Sequence, residues 1–260
     1  MAMPQDPDFT GRGIFVTGGT AGIGRAYARC FAERGGQVAV CGRTEQRARA
    51  VSAEIEAGTP GRVIGLAADV RNAGQLTDAV AATVAQFGAI DVLVNSAGIA
   101  GAFASEDLSE RDWDAIVDTN LKGTFLACQA AARYMLPRRK GSVINISSVA
   151  GLGGFPRRAA YGSSKAAVIM LTKVLAVEWA DRNVRVNVLA PGVIRTELNE
   201  AMIAKGDLDL RAIEQRTPLG RRGETTDLFG AGLFLASDAS SYITGAVLAV
   251  DGGWSAYGYL

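Results

Sequence analysis

Histidine is absent from the chain. That absence excludes Ser-His-Asp hydrolysis, the Cys-His pair of papain-like proteases and His-ligated zinc. Acid–base work falls to Tyr, Lys or carboxylates. Cysteine is scarce and odd in number: Cys30, Cys41 and Cys128 are widely spaced, which suggests neither a disulfide frame nor a metal cluster. They read as small core residues, and no metal site is expected. Net charge is nearly absent too, at +1 with only 20% charged residues, so no general affinity for nucleic acid or acidic membranes is expected. No apolar run approaches the length of a membrane span. Residues 1–10 lack the basic start and apolar core of a signal peptide, so the expected location is the cytoplasm. No Pro/Gly/Ser-rich linker, repeat or low-complexity tract interrupts the 260 residues, and residues 1–260 are expected to form one domain.

What the chain has is apolar residues, 48% of the total, arranged periodically. Short apolar strands are expected over 12–17, 37–41, 62–67, 90–94, 142–146, 184–189 and 246–250. Helices are expected over 22–34, 44–57, 72–87, 159–180 and 224–236, and helical patterns fill 109–135. Such alternation predicts an α/β, doubly wound parallel sheet of about seven strands with helices on both faces. The segment 196–217 is rich in charge, weakly periodic and longer than an ordinary connection. It reads as an irregular, lid-like loop.

Chemistry concentrates at the ends of the expected strands. The first is followed by Thr17-Gly18-Gly19-Thr20-Ala21-Gly22-Ile23-Gly24. Glycines at 18, 22 and 24 let backbone turn sharply and approach a pyrophosphate, and the helix that opens there offers unpaired N–H groups to it. A strand before and a helix after are the context such a motif needs. About twenty residues on, Cys41-Gly42-Arg43-Thr44 carries no acid until Glu45. An acid there would bind the ribose hydroxyls of NAD, whereas Arg43 suits the extra phosphate of NADP, which is weakly favoured over NAD. Asp69-Val70 ends the third strand, and its carboxylate could bond the adenine amino group or cap the next helix. Asn95-Ser96-Ala97-Gly98 ends the fourth: small residues permit close approach of a cofactor, and the Asn95 amide could equally tie strands together.

Tyr161 and Lys165 stand four residues apart in the expected 159–180 helix and so share a face. A phenol titrates at about 10, too high for proton transfer near neutrality, and a neighbouring ammonium would lower it. Ser148 could orient a substrate oxygen or cap locally, and Asn120 could serve catalysis or be a satisfied buried amide.

Taken in order, Thr17-Gly-x-x-x-Gly-x-Gly24, Asp69, Asn95-Ser-Ala-Gly98, Asn120, Ser148, Tyr161-x-x-x-Lys165 and Pro191-Gly192 resemble the single-domain branch of the short-chain dehydrogenase/reductase family. The resemblance spans nearly the whole chain, from Gly13 to Gly253. It implies a Rossmann fold and an NAD(P)-dependent oxidoreductase. Tyr161 would be the general acid/base, Ser148 would bind the reacting oxygen, Lys165 would contact the nicotinamide ribose, and Asn120 would position a water behind Lys165. Residues 191–196 would lie along the nicotinamide, with Val193 and Thr196 at its carboxamide. Ser96 replaces the family's commoner Asn, and Ala21 stands where many NADP-preferring members carry a basic residue.

The substrate is open. One reading is a secondary alcohol such as a polyol or sugar. Another is a 3-oxoacyl group on an acyl carrier, with Arg138-Arg139-Lys140 and Arg182 as basic contacts. A third is a cofactor sensor without turnover, against which the intact Tyr, Lys and Ser set speaks. Residues 97–103, 151–155 and 196–217 are the expected pocket walls. The resemblance implies a homotetramer. The aromatic tail, Trp254, Tyr257 and Tyr259, is expected to be buried between subunits, the alternative being packing on its own protomer.

Overall fold

The computed structural model describes residues 7–258. Seven strands lie in one sheet: β1 (Gly13–Thr17), β2 (Gln37–Gly42), β3 (Val63–Ala67), β4 (Val92–Asn95), β5 (Gly141–Ile146), β6 (Val184–Pro191) and β7 (Val247–Val250). Their order is β3-β2-β1-β4-β5-β6-β7, every neighbouring pair parallel. Parallel neighbours require crossovers, and helices supply them. These are α1 (Gly22–Ala32), α2 (Glu45–Ala57), α3 (Ala73–Phe87), α4 (Glu110–Val117), α5 (Gly123–Arg138), α6 (Ala159–Trp179), α7 (Glu197–Ala204), α8 (Leu210–Arg216) and α9 (Phe229–Ala236).

Because strand side chains alternate, β1 feeds two cores. Ile14 and Val16 join Tyr27, Phe31, Ile55 and Leu233 on one face, while Phe15 joins Leu76, Leu93, Cys128, Met135 and Trp179 on the other. All three cysteines are buried free thiols, as expected of small core residues. The order reverses beside β1: the chain runs outward through β2 and β3, then returns to place β4 on the other side. A crevice opens at the carboxyl ends of β1 and β4, where such sheets bind ligands.

Local signals set most boundaries. Asn72 caps α3, its Oδ1 accepting from the Gln75 amide at 3.1 Å, and Gly88 closes that helix at φ 81°. Three expectations are corrected. The 109–135 pattern is broken by a wide π-type turn at Asp118–Lys122 between α4 and α5, and a tight 3₁₀ turn at Thr225–Leu228 precedes α9. The segment 196–217 is not irregular: it holds α7 and α8, because Thr196 and Asp209 cap them through bonds to the Asn199 and to the Arg211 and Ala212 amides. Its apolar anchors Met202 and Ile213 are buried. Finally, Ala159–Arg182 does have the length and composition of a membrane span. It is nonetheless a sheet-packed helix, with Val168, Leu175 and Trp179 buried on its inner face.

Candidate active site

The crevice is a cleft of about 520 Å³. Of the residues singled out in the sequence, Gly18, Thr20, Gly22, Ile23, Arg43, Asp69, Val70, Ala97, Gly98, Ser148, Tyr161, Lys165, Pro191, Gly192 and Thr196 line it. They come from the ends of all strands except β7 and from the first turns of α1, α6 and α7, which is how positions far apart in sequence reach one space.

At one end lies the glycine turn. Gly18 has φ 65°, and a Cβ there would sit 2.7 Å from the Ala97 backbone; one at Gly24 would sit 2.4 Å from the Gly18 carbonyl oxygen. The turn is therefore free to approach a ligand on one side only because nothing larger than glycine fits on the other. No side chain caps α1. Instead the Gly22 amide donates to Glu197 Oε2 at 3.0 Å, so an anionic oxygen already occupies the helix start. Farther along, Arg43 makes no hydrogen bond or ion pair with any described residue, although its charge helps lower the Asp69 pKa. Asp69 does not cap α3, which Asn72 does. It accepts a forked pair of bonds from Arg71, the main cause of its lowered pKa.

At the other end are Ser148, Tyr161 and Lys165. Tyr161 and Ser148 line the cleft together, and Ser148 acts to hold the phenol's pKa down. Ser148 Oγ also accepts from the Ala150 amide at 3.1 Å, so capping and the functional reading coexist in one residue. Lys165 is buried. Its Nζ donates to the Ile146 carbonyl at 2.9 Å and lies 5.8 Å from the Tyr161 ring centroid. Ser147 Oγ donates to the Lys165 carbonyl at 2.8 Å, so β5 and α6 are fastened twice.

The electrostatics correct the expectation of a phenol acidified by the ammonium. Burial raises the Tyr161 pKa, opposed by the Ser148 hydroxyl and by the charge of Arg158. Burial pushes Lys165 down to about 8. Spacing alone had placed the two on one face, but desolvation outweighs their mutual effect in the cleft as it stands.

Four candidates lie off the cleft lining. Gly24 packs beneath the turn. Asn95 Nδ2 donates to Asn145 Oδ1 at 2.9 Å and Asn145 Nδ2 to Thr172 Oγ1 at 2.8 Å, which ties β4, β5 and α6 together. Asn120, in the π-type turn, has both amide hydrogens on the Ile99 carbonyl and Ser164 Oγ, and accepts from the Ile99 amide. A Cβ at Gly98 would fall 3.2 Å from Asn120 Oδ1 and 3.5 Å from Lys165 Nζ, so the absent side chain leaves the gap between them open. Val193 faces a separate hollow of about 220 Å³ because the Gly223 amide holds its carbonyl.

Other expectations shift. Arg138 and Lys140 pair with Asp91 and Arg182 bonds the Glu178 carbonyl, all at the amino ends of β5 and β6. The cleft is at the carboxyl ends, on the order of 20 Å away along β5, so those charges do not line it. Trp254 stacks on Phe155 of its own chain at 5.8 Å and Arg216 lies over Trp254 and Tyr257, while Tyr257 keeps 44% of its surface exposed. Tyr259 lies outside the described residues. Arg71 lines the cleft but was not singled out, whereas Glu197, Leu198 and Asn199 line it within the expected 196–217 wall. The Thr-x-x-Asn cap at 196–199 was a readable signal, while the Glu197–Gly22 contact spans 175 residues and has no local signature.

Burial of the ammonium makes a stability prediction. Below pH 8 Lys165 is protonated in both folded and unfolded chains and the burial penalty is fully present. Between pH 8 and 10.5 the unfolded chain holds a proton that the folded chain has lost, so stability from this group rises with pH. Lys165→Met should thus stabilise the free protein at pH 7 by up to roughly 3 kcal/mol. Urea denaturation from pH 7 to 10 should show that advantage shrinking.

The family model described as enoyl-(acyl carrier protein) reductase matches residues 18–255. The chain is 40% identical over 243 residues to the 3-oxoacyl-(acyl-carrier-protein) reductase of Thermotoga maritima, covering 94% of this chain and 97% of the relative. It is also 40% identical over 247 residues to the D-threitol dehydrogenase of Mycolicibacterium smegmatis, at 94% and 93% coverage. Among solved structures, a gluconate 5-dehydrogenase from Burkholderia cenocepacia in complex with NADP and tartrate superimposes with a TM-score of 0.90, at 37% identity, over 96% of this chain and 98% of that one.

Proposed function

The chain belongs to the short-chain dehydrogenase/reductase family, NAD(P)-using oxidoreductases that act on CH–OH groups, and from that premise we propose that it interconverts a small secondary alcohol, of the polyol or sugar type, and its ketone. The observation that carries this reading is that Tyr161, Ser148 and Lys165 line one end of a cleft whose other end is a glycine turn with the Gly22 amide open to a carboxylate oxygen.

The turn at Gly18 to Gly24 holds the dinucleotide's phosphates, with Asp69, Val70, Ala97 and Gly98 beside its adenosine half and Pro191, Gly192 and Thr196 beside the nicotinamide. When bound, the dinucleotide supplies or accepts the hydride. Ser148 fixes the substrate oxygen. Tyr161 gives that oxygen a proton during reduction and removes one during oxidation. Lys165, held by the Ile146 carbonyl, places positive charge behind the phenol, and Asn120 orders the path behind Lys165 across the gap at Gly98. A polyol substrate is supported by the threitol dehydrogenase relative. Reduction of 3-oxoacyl groups is the second reading, supported by the Thermotoga relative. A panel of polyols, ketones and 3-oxoacyl thioesters run with both cofactors separates the two. In the same assays Tyr161→Phe should lose about 10²- to 10⁴-fold in kcat, and wild-type-like turnover would remove Tyr161 from its role.

NADP is the favoured cofactor. The support is Arg43, a guanidinium with no described partner on the cleft wall, where a phosphate on the ribose would be bonded bidentately. Arg43→Ala should weaken NADP(H) roughly 10- to 100-fold, the worth of a charged hydrogen bond, and leave NAD(H) nearly unchanged. Equal effects on the two cofactors in binding titrations would reject the preference.

The protein acts as a homotetramer in this reading. Met170, Val174 and Val177 form one exposed apolar stripe along α6 at 59%, 45% and 81% exposure, and Phe125 of α5 is also exposed. Such a stripe is a surface for another copy. Val177→Glu should split the assembly, as read by light scattering or native mass measurement, while the same oligomer in the variant would refute this face.

A further inference from the structure

Arg158 stands at the start of α6, one turn ahead of Tyr161. Its half-buried guanidinium joins pieces of chain that are remote in sequence. Nη1 donates to the Gly101 carbonyl at 2.7 Å and lies 4.0 Å from Met202 Sδ, and Nη2 donates to the Asp207 carbonyl at 3.1 Å. The neighbouring Arg157, held at φ 62°, donates to the Ala102 carbonyl at 3.1 Å and pairs with the Asp207 carboxylate at 3.4 Å. The Arg157 carbonyl in turn accepts from the Phe103 amide at 3.0 Å. Three segments, 101–103, 157–158 and 202–207, therefore meet on two guanidinium groups. Two of them are expected walls of the substrate end, and the third opens the catalytic helix.

The partners of Arg158 matter as much as their number. Two carbonyl oxygens and a thioether satisfy its donors, while the Asp207 carboxylate, paired with Arg157, also acts on its charge. The charged and titratable groups that bear on the phenol are Lys165 from its own helix and Arg158 from the helix start, itself flanked by Arg157 and the Asp207 carboxylate, with the Ser148 hydroxyl in the same cleft from the end of β5. Both Arg158 and Ser148 act to hold the phenol's pKa down against burial. Only a planar fork reaches two carbonyls and the sulfur at once, so lysine is not its equivalent here.

We propose that Arg158 is a positioning residue for proton transfer, fastening the 101 loop and the turn after α7 to the start of the catalytic helix while presenting positive charge to the Tyr161 phenol. This rests on Tyr161 being the proton-transfer group, and the test keeps the two questions apart. Phenolate absorbance is followed against pH in the full-length protein and its Arg158→Gln and Arg158→Lys variants, each as a difference from the same chain carrying Tyr161→Phe. That signal reports the phenol whether or not a substrate turns over. The kinetic companion is kcat and KM against pH for an alcohol found by the panel.

In Arg158→Gln the Tyr161 titration is expected at higher pH than in wild type, and the acid limb of kcat/KM for alcohol oxidation should move the same way. In Arg158→Lys the titration should stay near wild type while KM rises roughly tenfold, because charge is kept and the clasp is lost. Equal titrations in wild type and Arg158→Gln would overturn the electrostatic half. Unchanged KM in Arg158→Lys would overturn the clasp. Should the Gln variant not fold, the Lys variant decides alone: a titration moved upward or a wild-type KM sinks the proposal. Turnover that survives Tyr161→Phe would instead defeat the proton-transfer assignment, a separate result.

Discussion

The site depends on keeping a protonated amine and a neutral phenol together out of water. Lys165 is almost wholly buried, and its only protein hydrogen bond among the described residues goes to a strand-end carbonyl. Burial works against both charged forms, raising the phenol and lowering the amine. A pair in this condition is poised rather than acidified: small additions of charge or hydrogen bonding near it change which form prevails, because a low-dielectric setting amplifies each of them. Ser148 and Arg158 are two such additions built into the chain.

Holding that pair in place is what the sheet does. Strand ends cannot move singly when each is parallel-paired on both sides, and β5 is central, between β4 and β6. The Asn95–Asn145–Thr172 chain beneath the cleft fastens those strands to α6, and the Ser147 and Lys165 bonds fasten α6 to β5 from above. Each bond is modest alone, yet together they fix the helix that carries Tyr161 to within the tolerance proton transfer requires. Asn95 thus contributes as a strut, which its place off the cleft lining makes plain.

Much of this was legible from local pattern. All seven strands and the helix of Tyr161 were expected within a few residues of where they lie, since apolar runs and caps are short-range signals. The glycine turn was legible for the same reason: a strand, three glycines and a helix follow one another directly. What could not be read was whatever depends on burial or on contacts between distant segments. The spacing of Tyr161 and Lys165 shows a shared face but not the dielectric around it, so the direction of the pKa shift was missed. Glu197 on Gly22 and Arg158 on Gly101 and Asp207 join segments with no common periodicity. The α7–α8 segment was misread as irregular because its helices are of eight and seven residues, too short for a periodic signal to emerge.

The same division explains why the substrate resists reading. A 3-oxoacyl reductase and a threitol dehydrogenase are each 40% identical to this chain over nearly its full length. Relatives that share a fold so fully yet carry names for such different substrates must differ in walls rather than in the frame. In the proposed reading those walls are residues 97–103, 151–155 and the 196–217 segment that holds α7 and α8. They are tied by guanidinium contacts and by the Phe155–Trp254 stack, not by sheet pairing. Such ties use side chains that can be exchanged one at a time without disturbing a strand. Selectivity can therefore change while the phenol, the ammonium and the glycine turn stay where the sheet holds them.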